Sequence, residues 1–371
     1  MSVVGGCALN HYAPRGNTKT AEVGLMSGDV TDGTGRPATM ADIAAHLGVS
    51  RQLVSLVLRN APGASEETRR RVRQAAKDLG FSPHVGAQSL RRTRSTDLGV
   101  VFTPAHSTES EIIEHIYPAA ATHGYDVILS AQTSTRTTNH AVEELLGHRC
   151  AGLIIIGSPL DHAGLRAVSR RSPVPVVDVG SGRRNTHYDI VRSAGDNGID
   201  DMVTHLAGLG HRRIAYVDPA AMPAAALRRR GYDRAVTRLG LPADVLTMPG
   251  DYTESDYFDE AGSAAARLLL RREALPTAVV APNDHTAVGM LQILLRDGVR
   301  VPEDVSITGF DDAPVARLSS VNLTTVRQDP HLMGVAAVEA AVRRIQDRDH
   351  KPGETVVATS LVERGSAAPA R

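Results

Sequence analysis

The run Leu47-Gly48-Val49-Ser50-Arg51-Gln52 places a turn-permitting glycine, a helix-capping serine and two side chains with several hydrogen-bonding groups each in six consecutive positions. Glycine tolerates the tight corner, and a serine oxygen can accept from an orphan amide of the helix that follows. Arg51 and Gln52 then occupy that helix's first turn, with Leu56 one turn beyond Gln52. Arginine can donate two bonds to guanine O6 and N7, glutamine can pair with adenine N6 and N7, and a leucine can meet a thymine methyl. A recognition helix uses its N-terminal residues in this way while the helix before it crosses the DNA backbone. Arg69, Arg70, Arg71, Arg73 and Lys77 supply candidates for phosphate contacts nearby. Two packed helices with surface arginines would look the same, so the corner alone leaves both readings open.

A second kind of chemistry stands at the ends of apolar runs. Asn283-Asp284 follows "TAVVAP" and Asp311-Asp312 follows "VSITGF". Carboxylates accept hydroxyl groups and amides both donate and accept, which suits binding of a small polar molecule. Catalytic patterns are missing: there is no G-x-S-x-G elbow, no G-x-x-x-x-G-K-[ST] loop and no H-E-x-x-H. The fifteen histidines are scattered, and His205 and His211 straddle a helix end instead of sharing a face. The chain is therefore expected not to be an enzyme and to need neither cofactor nor metal.

The elements that position these groups fall into two regimes. Residues 37–82 read as helical. Thr39, Ser50 and Ser65 are candidate N-caps, Asp42 sits at a capping-box position, and Gly80 stops the third helix. "SPHVGAQSLRR" begins one more short helix with Pro83 at its first position. From Asp97 onward, "LGVVF", "YDVILS", "AGLIIIG", "VPVVDVG", "RIAYVD", "TAVVAPND" and "VSITGFDD" alternate with amphipathic helical stretches. Near-continuous apolar strands between helices predict parallel sheets covered on both faces. Seven such units over this length predict two α/β subdomains, with ligands at the carboxyl ends of the strands.

The charge is distributed to match. Residues 37–94 carry ten Lys and Arg against four Asp and Glu, whereas residues 95–371 carry 28 against 34. A small basic unit joined to a larger acidic one predicts a polyanion partner for the first unit only. With Cys7 and Cys150 as the two cysteines, neither a disulfide framework nor a zinc site is expected. No signal peptide or membrane span is read, so a cytoplasmic location without membrane association is expected.

The segment "TMADIAAHLGVSRQLVSLVLRNAPGASEETRRRVRQAAKDLGFSPHVGAQSLRR" closely resembles the DNA-binding headpiece of the lactose-repressor (LacI/GalR) family. The resemblance continues through "LGHRRIAYV", "PNDHTAVGMLQILLRDGVRVPEDVSITGFDD" and "LTTVRQDPHLMG", to about residue 363. It implies an all-α helix-turn-helix headpiece plus an α/β core of two doubly wound parallel-sheet subdomains of the periplasmic-binding-protein type, joined by three crossovers. The implied divisions are the headpiece (37–82), a hinge helix and linker (83–96) and an effector-binding and dimerisation core (97–363). Outside the resemblance, residues 1–36, rich in Gly, Ser, Thr and Asp without sustained periodicity, read as a disordered extension, and 364–371 as a flexible tail.

The resemblance also implies roles. Thr39, Ser50, Arg51, Gln52, Ser55 and Leu56 would face DNA in the headpiece. Ala87 and Leu90 would do so in the hinge, with Leu90 wedged into the minor groove. Leu56 departs from the polar residue often found at its position. In the core, Asp161, Arg228, Tyr252, Asn283 and Asp311 would face the effector, although Asp161 and Asn283 could instead cap helices. Thr103 and His106 lie near the cleft without an assigned role. The implied protein is a transcriptional regulator, expected to repress, acting as a homodimer or tetramer on pseudo-palindromic operator DNA and controlled by a carbohydrate. The competing expectation is a solute-binding protein of the same core fold that does not regulate through DNA.

Overall fold

The computed structural model describes residues 38–59, 61–81, 95–180, 186–219, 224–248 and 258–371. The chain divides into two units near residue 91. The expected extension (1–36) and hinge helix fall outside the described residues, as do Ala87, Leu90 and Tyr252.

The first unit holds α1 (Met40–Leu47), α2 (Arg51–Leu58) and α3 (Glu66–Asp78). Each helix starts where a side chain can serve an unpaired amide. Thr39 and Asp42 form a reciprocal capping box, Ser50 accepts from Leu53 N, and Ser65 accepts from Thr68 N. Gly48, with φ of 65°, ends α1 in the left-handed conformation that glycine adopts without a Cβ penalty. Ile43, Val54, Val57 and Val72 bury the inner faces of all three helices around one small core. Burial at about 1.5–3 kcal/mol per large aliphatic side chain is what holds so short a bundle together.

The second unit contains two six-stranded sheets. The first comprises β1 (Asp97–Phe102), β2 (Asp126–Ala131), β3 (Gly152–Ile156), β4 (Val176–Val179), β5 (Asp189–Ser193) and β11 (Glu354–Val357). Its spatial order is β2-β1-β3-β4-β5-β11, parallel throughout. The second comprises β6 (Ile214–Asp218), β7 (Asp244–Thr247), β8 (Ala278–Val280), β9 (Ser306–Asp311), β10 (Thr324–Arg327) and β12 (Ser360–Val362). Its order repeats the first as β7-β6-β8-β9-β10-β12, and only β12 runs antiparallel to its neighbour.

Helices cover both faces of each sheet. Against the first lie α4 (Ser107–Thr122), α5 (Thr138–Gly147), α6 (His162–Arg171) and α11 (Pro330–Gln346). Against the second lie α7 (Gly195–Gly208), α8 (Ala225–Leu239), α9 (Phe258–Leu270) and α10 (Asp284–Arg296). Alternate strand residues feed opposite cores. Val100 and Ile154 join one cluster while Val101, Leu153 and Ile155 join the other, which is why these strands are apolar at nearly every position. Without tryptophan the cores are chiefly aliphatic, but Tyr188, Tyr216, Tyr232 and Phe310 are among the largest fully buried side chains.

The chain crosses between the two halves three times: after β5, between β10 and α11, and between β11 and β12. Two of the crossovers are tied together, because Ala194 N donates to Val357 O (2.8 Å) and Thr359 Oγ1 donates to Ala194 O (3.3 Å).

The C-terminal residues correct the expectation of a flexible tail over 364–371. Ser366 is buried, where its hydroxyl accepts from Thr324 N and donates to Ile307 O. His211 Nε2 lies 2.9 Å from Ala368 O, and Ala370 N donates to Leu209 O. Small residues at the end of a chain read as disorder in composition, yet here they complete the hydrogen bonding of β9 and β10.

Candidate DNA interface and ligand cavity

On the headpiece, Arg51 and Gln52 are exposed at the start of α2, and Ser55 and Leu56 are partly exposed one turn further on. Thr39 and Ser50 are exposed as well, with their oxygens engaged in capping. Leu56 has an inward role too, since its Cδ1 approaches Gly63, a residue with φ of 115°. Arg70, Arg71 and Lys77 face outward along α3. Arg69 is committed elsewhere: it donates to Ala61 O, pairs with Glu66 at 3.7 Å, and is only 11% exposed. That bond closes the loop between α2 and α3, a structural task that the spacing of the arginines did not disclose.

In the second unit, a cavity of about 170 Å³ lies between the two sheets. All its strand-borne walls are carboxyl ends. The first half contributes His106 beyond β1, Ser158 beyond β3, Gly180 beyond β4 and Ser193 at the end of β5. The second contributes Asn283 beyond β8, Asp311 at the end of β9 and Gln328 beyond β10. Both sheets share the strand order in which the crevice opens beside the first strand, so the two halves face the cavity with equivalent loops. Ile112, Ile156, Val179, Leu227 and Met333 give it an apolar floor.

Arg228 and Asp311 are its central pair. One guanidinium nitrogen donates to Asp311 Oδ1 at 3.3 Å, another donates to Pro282 O, and the guanidinium carbon lies 3.8 Å from the centre of the Phe310 ring. Gln328 Nε2 also donates to Asp311 Oδ1, at 2.6 Å. Burial pushes the Asp311 carboxyl above its usual range, while Arg228 and Gln328 oppose that shift. Asp311 and Asp312 both have positive φ, 116° and 56°. Consecutive non-glycine residues in that region cost on the order of 1–3 kcal/mol each and persist only where surrounding bonds fix them. Asp312 is fixed by Arg364 and Arg317.

Across the cavity, Glu109 is buried, lies 2.5 Å from His106 Nδ1 and accepts from Thr103 N at 2.7 Å. Burial raises its pKa, against the lowering effects of His106 and Thr103. His285, at the start of α10, lies 3.2 Å from Asp259, and that hydrogen bond raises its pKa. Its other ring nitrogen is 3.5 Å from Ser107 Oγ on the opposite half.

Of the residues expected at an effector, Arg228, Asn283 and Asp311 come together here. Asn283 also caps α10 by accepting from Thr286 N at 2.8 Å, so the two readings of this residue coexist. Asp161 does not line the cavity; it is exposed and caps α6 by accepting from Gly164 N at 2.8 Å. A polar residue after a strand and before a helix serves either purpose, and sequence spacing cannot separate them. Thr103 is held outside the lining by bonds to Glu109 and Gln132, whereas His106 reaches it. Glu109, Ser158, Ser193, His285 and Gln328 carried no individual signal beyond standing near strand ends. Among the described residues, no group of three or more His, Cys, Asp or Glu could hold a metal ion, and no helix is long and apolar enough to cross a membrane.

A helix-turn-helix unit and a two-lobed binding core in one chain define a class of ligand-sensing DNA-binding regulators. Comparison with known proteins specifies it further. Residues 39–84 match "Bacterial regulatory proteins, lacI family", and residues 203–367 match "Periplasmic binding protein-like domain". The HTH-type transcriptional repressor CytR of Escherichia coli K12 is 31% identical over 332 residues, covering 89% of this chain and 96% of its own. A LacI transcriptional regulator from a Rhodococcus species is 38% identical over 74% of this chain and 99% of its own, with a TM-score of 0.68. The lac repressor dimer bound to operator and the anti-inducer ONPF is 29% identical over 90% of this chain and 100% of its own, with a TM-score of 0.76. The chain belongs to the lacI family of bacterial regulatory proteins.

Proposed function

We propose that this protein is a cytoplasmic, non-enzymatic transcriptional repressor that binds a pseudo-palindromic operator as a homodimer and is controlled by a carbohydrate held between the two halves of its core. The observation carrying the effector half of this reading is the constellation of Arg228, Gln328 and Asp311 at the carboxyl ends of the second sheet, facing an apolar floor. A carboxylate with fixed donors beside it accepts vicinal hydroxyls, and the floor suits the C–H faces of a sugar. Tyr252 is proposed as a further contact. Asp161 is proposed to act through capping alone. A cavity of this size, below the roughly 300–1,000 Å³ of drug-sized sites, favours a small ligand.

The DNA half rests on the exposed N-terminal turn of α2. One headpiece spans one half-site, so a two-fold operator calls for two copies, as in the lac repressor dimer on its operator. Ala87 and Leu90 are proposed to enter the minor groove. Wedging costs roughly a few kcal/mol in unstacking, offset by bending the duplex onto more protein. Thermodynamic reciprocity then requires that an effector that weakens operator binding bind the DNA-free form more tightly, by the same factor.

The test is a genome-wide footprint of the purified protein on DNA of its own organism at near-physiological salt, followed by a panel of pentoses, hexoses and polyols tested on the recovered sites. Discrete, imperfectly palindromic sites that respond to one of these sugars in the wild type but not in Asp311→Ala are expected. Diffuse, salt-sensitive binding alone would overturn the reading of the headpiece. Discrete sites indifferent to every sugar would overturn the reading of the cavity.

A further inference from the structure

Beneath the cavity, a second carboxylate is more deeply enclosed than those that line it. Asp284 is fully buried at the start of α10. Its Oδ2 accepts from Ala313 N at 2.7 Å and its Oδ1 lies 2.5 Å from Thr325 Oγ1. Gly309 of β9 leaves room for it, because a Cβ there would collide with Oδ1. The charged groups around it are predominantly of its own sign. Asp311, at the end of β9, and Asp312, just beyond it, act on it electrostatically, and the cations in reach are engaged elsewhere. Arg228 pairs with Asp311, while Arg317 and Arg364 pair with Asp312. His285, next along α10, turns to Asp259.

Burying an ionised carboxylate without a cation is costly, and two carboxylates in one site resist ionising together. The bonds made by Asp284 also have a second consequence. Ala313 is the residue immediately after the two positive-φ aspartates, so its amide is the exit point of the strained turn.

We propose that Asp284 holds a proton while Asp311 stays ionised, and that the protonated Asp284 is the positioning residue that anchors the Asp311–Ala313 turn and so aims the Asp311 carboxylate into the cavity. An ionised Asp284 would accept at Oδ1 from the Thr325 hydroxyl; with the proton on Oδ1 that hydroxyl turns and its oxygen accepts from Asp284 instead, while Oδ2 keeps its bond from Ala313 N. Burial, then the charge of Asp311, push Asp284 up to about 8, against the lowering effect of donation from Thr325 and Ala313. The role assigned to Asp311 rests on the ligand reading given above; the protonation itself does not, and the test needs no effector.

The experiment is difference infrared spectroscopy of the full-length protein in H2O and D2O, titrated from pH 5 to pH 10. The wild type should show the C=O stretch of a protonated, deuterium-sensitive carboxyl at pH 7, lost with a midpoint near pH 8. Asp284→Asn, which keeps the size and an acceptor, should lack this band while retaining the wild-type melting temperature at pH 7 to within a few degrees. Asp284→Ala should melt lower. Asp311→Asn removes the repelling charge and should move the midpoint of the band to lower pH. Absence of the band in the wild type at pH 7 would overturn the proposal, and so would its persistence in Asp284→Asn, which would place the proton on another buried acid such as Glu109. An unmoved midpoint in Asp311→Asn would refute the coupling of the two carboxyls, and because this variant is read by its own titration, the test survives a failure of either Asp284 variant to fold. Failure of the carbohydrate reading would instead show in the sugar panel, with the infrared band intact.

Discussion

Replacing Arg228 with alanine isolates the pair at the centre of the cavity. The two side chains are 11% and 15% exposed and 3.3 Å apart, so solvent screens them little. At an effective dielectric near 20, that separation corresponds to about 5 kcal/mol of gross attraction. Desolvation of both ions offsets much of it, but deleting one partner leaves that cost standing, and losses of about 3–5 kcal/mol are typical. The substitution also removes the stack on Phe310 and the donor to Pro282 O. We therefore expect Arg228→Ala to lose about 4 kcal/mol at pH 8, measured from urea unfolding followed by circular dichroism. The combination with Asp311→Asn should lose about 2 kcal/mol less than the sum of the single variants. Burial already raises the Asp311 pKa, and loss of the guanidinium raises it further. Below that value Asp311 takes up a proton and no buried charge is stranded, so the deficit should shrink at pH 5. Additivity to within about 0.5 kcal/mol, or a deficit equal at both pH values, would show that the pair is incidental.

Arg51→Ala should relax the preference at one base position of each half-site by about 1–3 kcal/mol, read from binding to a randomised operator library; an unchanged consensus would exclude Arg51 from base contact. Leu90→Ala should weaken specific operator binding more than nonspecific binding, because a wedge acts only on kinked DNA. Equal losses in a filter-binding comparison of the two DNAs would argue against a wedge. Gly231→Ala should destabilise the core by about 1–3 kcal/mol or more, since the added Cβ would collide with the carbonyl of Asp196 where α8 crosses α7; a melting temperature unchanged within error would mean that the crossing adjusts freely.

Much of this architecture is written locally. The caps at Thr39, Ser50 and Ser65 were legible because the physics of a helix start involves only four consecutive residues. The strand runs ending at Ile156 or Asp311 were legible because both of their faces are buried. β5, β7 and β11 were not, because "DIVRS", "DVLT" and "ETVV" are short and half polar, and pairing with neighbours decides them. At the site, Asp311 was legible as a carboxylate ending an apolar run, whereas Arg228 emerged from the family resemblance. The Glu109–His106 pair and the placement of Gln328 depend on which loops the fold brings together, and no spacing encodes that. Asp161 marks the opposite limit, where one local pattern fits two tasks and three-dimensional position alone chooses between them.

The crossovers also set a timetable. The first sheet is unfinished when β5 has been made, because its edge strand β11 and its covering helix α11 come after the entire second sheet, save its edge strand β12, has been threaded. Until then, the apolar surface later covered by Met333, Ala337, Val338 and Ala341 has no lid. At synthesis rates of about 5–20 residues per second, the intervening stretch leaves that surface open for on the order of ten to thirty seconds. The half of the core begun first thus waits for the other before it can close, and a nascent chain spends that interval with one sheet ready to take on a foreign strand or a chaperone.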